Sequence, residues 1–274
     1  MKRFNLLKRG KIVFLLSLLV CFVFWGNITK AGLTQQVQVE EQEVKKAKIF
    51  QDVYPLISES DLYCSFFILD EEMPEIQIIG AEREYERNIL NNGDVIYIDK
   101  GKEDGIESGH LFLILEVGSN FKGFGPLSFK RGRARILHVG ESRSSARIEK
   151  SCGQVMIGQF LVPFQDKESI IGKDLGYDIS PLLTSGIQGN IIYLETDINQ
   201  IARGQWALAD LGQKDGIQAG DQLIAYRQIV EGGPLQIIGN VVVIDSQKMT
   251  STIKVLSCKD VLRIGDRVQT RPVE

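Results

Sequence analysis

Apolar and polar residues alternate along most of the chain beyond residue 60, in short runs that are rich in β-branched and aromatic side chains. Alternation with a period of two residues is typical of β-strands with one buried face. Four of these runs stand in pairs around two similar nine-residue segments: DVIYID and LFLILEV flank GKEDGIESG, and QWALAD and QLIAYR flank GQKDGIQAG. Each nine-residue segment is therefore predicted to be a loop that joins two strands.

Both loops keep the same residue types at five positions. These are Gly101, Asp104, Gly105, Ile106 and Gly109 in the first loop, and Gly212, Asp215, Gly216, Ile217 and Gly220 in the second. The Asp-Gly pair favours a tight turn, because glycine takes positive φ readily and the aspartate side chain bonds the turning backbone. The isoleucine is then predicted to cover the end of the sheet. The last glycine is predicted to lead into the next strand, where it has no Cβ to obstruct the backbone. A phosphate-binding loop is the alternative, but it needs a helix after the glycines, and here strands follow.

The likeness between the two halves extends beyond the loops, as expected for an internal repeat. The further matches are GRARILHV with GNVVVIDS, SSARIEKS with TSTIKVLS, VMIGQFLVPF with VLRIGDRVQT and, upstream, YCSFFILD with QGNIIYLE. Residues 101 and 212 stand 111 positions apart and residues 132 and 239 stand 107 apart, so the first copy has four extra residues within GSNFKGFGPLSFKRGR. Each copy holds five or six short strands, which predicts an all-β protein of two tandem small barrels, closed or nearly closed.

The chain is predicted to have five parts. Residues 1–31 form a signal peptide or membrane anchor, 32–60 a polar tether, 61–164 the first barrel repeat, 165–186 a linker, and 187–274 the second barrel repeat. The first part has several Lys and Arg residues ahead of the apolar run IVFLLSLLVCFVFW. That run is shorter than the roughly 20 residues of a membrane-spanning helix, which favours a signal peptide cleaved near Ala31. An uncleaved anchor and lipidation at Cys21 are the alternatives.

Composition narrows the classes of partner. A length of 274 residues suffices for two domains with apolar cores. The net charge of −3 provides no overall attraction to nucleic acid or to anionic lipid. No nucleic-acid partner is therefore predicted, and contact with a membrane is expected only through an uncleaved N-terminal segment.

Three cysteines remain after the predicted cleavage: Cys64, Cys152 and Cys258. They lie far apart and form no C-x-x-C motif, so neither a metal site nor a redox motif is indicated. A disulfide between Cys64 and Cys152 is favoured because both fall in the first repeat. The alternative is that all three are small buried core residues.

Catalytic signatures are not found in the sequence. It contains no G-x-S-x-G, H-E-x-x-H or Walker motif. Its two histidines, His110 and His138, stand where the second copy has Asp221 and Asp245, and two ligands without a third make a poor metal site. The prediction is a protein without catalytic residues, cofactor or metal, in which these four are polar residues at strand ends.

A basic and aromatic segment in the first copy is the predicted binding surface. It runs from Phe121 to Arg135, and its proposed contact residues are Lys122, Phe124, Phe129, Lys130, Arg131, Arg133 and Arg135. The three arginines alternate, so on a strand they share one face. There cations and aromatic rings form a contact surface for an anionic wall polymer, a lipid head group or an acidic partner. The alternative is an ordinary solvated strand face.

The two copies also resemble known repeats. The segments GDVIYIDKGKEDGIESGHLFLILEV and IGQFLVPF, with ALADLGQKDGIQAGDQLIAYR and IGDRV, resemble the β-rich repeats behind LysM modules in some bacterial envelope proteins. They are also similar to the C-terminal domain of flagellar assembly protein T. The resemblance covers the chain from about residue 61 onward and implies an exported, non-enzymatic protein that binds or organises something at the cell wall. Direct glycan binding is not implied, since the sequence has no LysM-type segment.

The first functional hypothesis is therefore a periplasmic or envelope-associated interaction or scaffold protein, whose partner is an envelope protein or a cell-wall polymer. One alternative is a wall-active or proteolytic accessory enzyme with a site assembled from scattered residues. Another is a PDZ-like peptide binder, suggested by DGIQAGDQLIA. That reading requires two helices per module, and neither copy has helical periodicity.

Overall fold

The computed structural model describes residues 53–82, 88–177, 186–195 and 198–271. These residues form fifteen strands, one six-residue α-helix and two three-residue 3-10 turns, so the described protein is all-β. In these ranges no helix is long and apolar enough to span a bilayer. The predicted signal peptide or anchor, residues 1–31, lies outside the described residues.

A short N-terminal segment precedes the first barrel. It consists of β1 (Tyr54–Ile57), α1 (Glu59–Cys64) and β2 (Phe66–Ile68). Ser58 caps the helix: its hydroxyl accepts from the Asp61 backbone N–H, and the Asp61 carboxylate accepts from the Ser58 N–H at 2.7 Å. This reciprocal capping explains how so short a helix begins at Glu59.

The first barrel is a closed ring of six antiparallel strands. Its strands are β3 (Ile76–Ala81), β4 (Val95–Ile98), β5 (Leu111–Asn120), β6 (Pro126–Val139), β7 (Ser144–Ser151) and β8 (Phe160–Pro163). Around the ring they are ordered β3-β4-β7-β6-β5-β8, and β8 pairs again with β3. β2 is an additional strand, hydrogen-bonded to the first half of β6 outside the ring.

The second barrel repeats this topology. After β9 (Ile170–Gly172) its strands are β10 (Gln188–Leu194), β11 (Trp206–Ala209), β12 (Gln222–Gln228), β13 (Leu235–Ser246), β14 (Ser251–Cys258) and β15 (Arg267–Thr270). They close in the order β10-β11-β14-β13-β12-β15. Two tandem six-stranded barrels with the same connections confirm the predicted all-β fold and the internal duplication.

Two details of the predicted division differ from the structure. β1 lies in the range predicted as tether and β9 in the range predicted as linker, and the two strands pair with each other. Both are too short to show a period in the sequence. The strand that corresponds to β10 is β3, whereas the prediction had chosen YCSFFILD, which contains β2. Alternation of apolar and polar residues could not distinguish the two strands. Their pairing in three dimensions does, since only β3 pairs with both β4 and β8, as β10 pairs with β11 and β15.

Each barrel interior is filled by its own apolar cluster. Residues from all six strands meet in the first barrel, including Ile78, Ile96, Ile114, Ile136, Ile148 and Leu161. Their counterparts in the second barrel include Ile191, Ala207, Ala225, Val243, Val255 and Val268. Ile106 and Ile217, from the two repeated loops, are buried and belong to these clusters.

The repeated loops have nearly identical backbones. Gly105 and Gly216 both have a φ of 79°, in the left-handed region that favours glycine. The backbone N–H groups of Gly101 and Gly212 donate to Asp104 and Asp215 at 2.9 and 3.0 Å. A Cβ at Gly101 would overlap the carbonyl oxygen of Glu141, so the first glycine of the loop is required for space and not for φ.

Replacing Gly105 with valine is expected to lower the free energy of unfolding by about 1–2 kcal/mol, because a β-branched residue is strained at this φ. Urea unfolding followed by circular dichroism measures the change. Glu107→Val, at an exposed position of the same loop with negative φ, is the control and should change stability by less than about 0.5 kcal/mol. Equal effects of the two variants would contradict the turn assignment.

Candidate functional site

The basic and aromatic segment predicted to bind a partner lies against the second barrel. At the tip of the β5–β6 hairpin the ring of Phe121 meets the ring of Tyr193 edge-on, with centroids 5.6 Å apart. Lys122 Nζ donates to the carbonyl oxygen of Ile192 at 3.3 Å. Phe124 and Phe129 are half-buried in the same apolar cluster, which joins β2 and β6 to β10 and β11. The aromatic residues of the segment therefore hold the two barrels together.

Lys130 is buried at this contact. Its side chain is 5% exposed, and its Nζ donates to the Leu62 carbonyl oxygen at 2.8 Å and to the Asp245 carboxylate at 2.9 Å. Burial lowers the pKa of Lys130, and the charge of Asp245 opposes that shift. Burial raises the pKa of Asp245, but the charges of Lys130 and Lys167 outweigh burial and hold this pKa below its ordinary value. Lys130 is thus a partner of the second barrel and not part of an exposed patch.

The three arginines of the segment line the outer face of β6, and each has an acidic partner in the first barrel or in α1. Arg131 Nε donates to Glu116 at 2.7 Å, and its guanidinium lies 4.8 Å from the Phe129 ring centroid. Arg133 Nη1 donates to Glu59 at 3.0 Å, and Arg135 donates to Glu149. These ion pairs balance the positive charge that was predicted to attract an acidic partner. The binding role of the three arginines stays a prediction.

α1 completes the contact between the barrels. The Asp61 carboxylate accepts from Trp206 Nε1 at 2.9 Å and from Lys254 Nζ at 2.6 Å, both in the second barrel. Around it, Leu62 and Tyr63 pack against Val242, Ile244 and Leu256. A disulfide joins Cys64, the last residue of α1, to Cys152 beyond β7, and Cys258 is a free, half-buried thiol. The disulfide favoured by the sequence is present.

Sequence reasoning missed this inter-barrel contact, although one signal for it exists. β13 contains the uninterrupted apolar run Val241–Ile244, whereas the corresponding run of β6, residues 134–137, is interrupted by Arg135. A run that is apolar at every position indicates a strand buried on both faces. One face of β13 lines the second barrel and the other is covered by the N-terminal segment.

The first barrel has an open surface where the second barrel is covered. From the strand registers, Ile79, Tyr97 and Leu137 correspond to Ile192, Leu208 and Ile244. The residues of the first barrel are 39%, 42% and 39% exposed, and those of the second are 9%, 0% and 1% exposed.

A groove of about 480 Å³ lies on this side of the first barrel. Its lining includes Ile79 and Tyr97, together with His138, Arg143 and Ser145 from the β6–β7 end. We call Ile79, Tyr97, Leu137, His138 and Arg143 the open face. It combines exposed apolar side chains with a basic edge, which is the usual character of a contact surface for another protein.

The two histidines lie at strand ends, as predicted. The Glu107 backbone N–H donates to His110 Nδ1 at 3.3 Å, and in the second loop the Gln218 N–H donates to Asp221 at 2.8 Å. His110 and Asp221 therefore perform the same capping of a turn. Among the described residues, no three His, Cys, Asp or Glu side chains form a group that could hold a metal ion.

Comparison with known proteins assigns no family. No protein-family model matches the chain, and no curated protein matches it either. The resemblance to LysM-associated repeats and to flagellar assembly protein T therefore stays a prediction. The closed barrels contain strands where a PDZ-like domain needs two helices, and the described residues hold a single six-residue α-helix.

Proposed function

We propose that the protein is an exported, non-catalytic scaffold of the cell envelope that binds another protein through the open face. The observation that carries the proposal is the exposure of Ile79, Tyr97 and Leu137 at positions that the second barrel buries completely or nearly so. Exposed apolar side chains are costly in water unless a partner covers them, and a patch of this kind marks an interaction site.

The packed interiors support a binding function over a catalytic one. Both barrels are filled with aliphatic side chains, which leaves their outer surfaces for contact with other molecules. Apolar side chains at the centre of the open face favour a protein partner over a cell-wall polymer, since polysaccharides offer mainly hydroxyl groups. The positive charge of Arg143 at the edge of the open face favours a partner with acidic residues.

The disulfide supports export. Cys64 and Cys152 are joined across 88 residues of sequence, and such bonds persist in oxidising compartments outside the cytoplasm. The basic and apolar N-terminal sequence independently favours the same route. The envelope is therefore the proposed location.

Export is tested by cell fractionation with thiol labelling. In the envelope fraction we expect a maleimide reagent to label Cys258 under denaturing, non-reducing conditions, and to label Cys64 and Cys152 only after reduction. A Cys258→Ser variant that has been cleaved near Ala31, and so has lost Cys21, should then show no labelling before reduction. Uncleaved protein found in the cytoplasm with all four cysteines reactive would contradict the proposed location.

Binding is tested by retention of the purified chain on envelope extract after mild cross-linking. Tyr97→Arg is expected to reduce retention at least about tenfold, because a charge in the centre of an apolar contact is desolvated without a partner. Ile157→Arg, at an exposed apolar residue of the same barrel outside the open face, is the matched control and should be retained like the parent. Equal retention of all three proteins would refute a role for the open face.

A further inference from the structure

The contact between the two barrels has a donor half and an acceptor half. The donor half is the tip of the β5–β6 hairpin, where Phe121 and Lys122 lie on Ile192 and Tyr193. The acceptor half is the covered side of the second barrel. Since both barrels have the same topology, each half has a counterpart in the other barrel that this contact does not use.

The counterpart of the acceptor half is the open face. Asp245, which accepts from Lys130 in the acceptor half, corresponds to His138 at the edge of the open face. The apolar positions correspond as well, but in the first barrel they are exposed. The first barrel therefore presents an acceptor surface with nothing on it in the described part of the chain.

The counterpart of the donor half is the β12–β13 hairpin of the second barrel. Its side chains Ile229, Val230 and Leu235 are 61%, 66% and 41% exposed. Leu235 and Gln236 of β13 pair only with β12 among the described strands, while the corresponding edge of β6 is occupied by β2. An exposed apolar tip beside an unpaired strand edge is a surface that readily joins another chain.

The charges at the two surfaces are inverted relative to the internal contact. The first hairpin has Lys122 as the charged residue at its tip, and the surface that it meets has Asp245. The second hairpin has Glu231 at its tip, and the open face has the cation Arg143. Each hairpin is thus complementary in charge to one acceptor surface and not to the other, which favours one mode of docking.

We infer that the β12–β13 hairpin of one copy docks on the open face of a second copy, so that the protein assembles head to tail. This inference rests on the proposed function, because it names the partner of the open face. Both surfaces are exposed in the same chain, so they do not cover each other within one molecule. A contact between two different surfaces leaves one of each kind free at the ends, and it extends into a filament or closes into a ring.

Sedimentation velocity of the exported full chain tests the assembly over about 1 to 100 µM, the range of moderate self-association. We expect the average mass of the parent to rise at least about twofold over this range. Tyr97→Arg, in the open face, and Val230→Arg, in the hairpin, are each expected to stay monomeric. Ile157→Arg and Ile264→Arg, at corresponding exposed isoleucines outside both surfaces, should assemble like the parent. Thermal unfolding of each variant verifies that it is folded.

A mixture of the two monomeric variants gives the decisive result. Tyr97→Arg retains a functional hairpin and Val230→Arg retains a functional open face, so together they should form dimers and nothing larger. The inference would be overturned if either single variant assembled like the parent, or if the mixture of the two variants stayed monomeric.

The result also separates this inference from the proposed function. A parent chain that stays monomeric, while Tyr97→Arg loses retention on envelope extract, would show that a different protein occupies the open face. In that case self-assembly fails and the proposed function stands. If Tyr97→Arg keeps both assembly and retention, both ideas fail.

Discussion

Loss of the Cys64–Cys152 disulfide is expected to lower the free energy of unfolding by about 4–5 kcal/mol, because the bond closes a long loop and restricts the unfolded chain. The two cysteines stand 88 residues apart, and the loop contains most of the first barrel. The bond also fixes the end of α1, whose Leu62 and Tyr63 pack on the second barrel. The measurement is urea unfolding of the Cys64→Ser and Cys152→Ser double variant against the parent.

Cys258→Ser is the matched control for that experiment. Cys258 is half-buried in the second barrel and forms no disulfide, so its replacement should cost less than about 1 kcal/mol. A reducing agent should destabilise the parent by the same amount as the double substitution and leave the double variant unchanged. A parent whose unfolding is insensitive to reduction would refute the stabilising role of the bond.

Asp245→Ala is expected to cost about 3–5 kcal/mol, because it leaves the buried ammonium of Lys130 with no carboxylate partner. The Leu62 carbonyl oxygen would remain as an acceptor, but it carries no full charge. Replacing both residues by apolar ones of similar size, in a Lys130→Met and Asp245→Leu double variant, should cost far less than Asp245→Ala alone. A double-mutant cycle by urea unfolding measures the difference, and a double variant as unstable as Asp245→Ala would contradict the ion pair as the cause.

The same pair gives the stability a dependence on pH. The pKa of Asp245 in the folded protein is below its ordinary value, and so is that of Asp61, where burial acts upward and Lys254, Ser58 and Trp206 act downward more strongly. A carboxylate with a depressed pKa stabilises the fold above its unfolded pKa of about 4, and this contribution is lost as the pH falls through the folded value. The parent should therefore lose stability below about pH 4, and the Lys130→Met and Asp245→Leu variant should lose less.

Much of the fold could be predicted because duplication repeats local signals. Two copies of the loop with glycine, aspartate and isoleucine at fixed positions predicted strands, turn and closure together, and Gly105 and Gly216 have the φ that such a turn needs. β1 and β9 could not be predicted, because three or four residues show no period and their pairing depends on contacts far apart in sequence. β2 was mistaken for a ring strand for the same reason.

The candidate site was harder to predict than the fold. Phe121, Lys122 and Lys130 have the chemistry of a binding surface, and sequence cannot distinguish an external partner from the second barrel of the same chain. The sequence contains no motif that indicates the open face, since Ile79, Tyr97 and Leu137 are ordinary apolar and aromatic residues of three separate strands. Only comparison with Ile192, Leu208 and Ile244 in three dimensions reveals that a covered surface in one barrel is exposed in the other.

The position of the disulfide has a mechanical consequence. If the N-terminal end is attached to a membrane or to another protein, tension enters at Tyr54 and first meets β1, which β9 holds through only three residue pairs. Separation of the strands can then continue through α1 but stops at Cys64, which is bonded to Cys152 beside the wall of the first barrel. The ten residues from Tyr54 to Tyr63 can extend by at most about 35 Å. Beyond that length the covalent bond carries the force directly to Cys152. The chain between the two cysteines, which includes β2 to β7, is then shielded from the load.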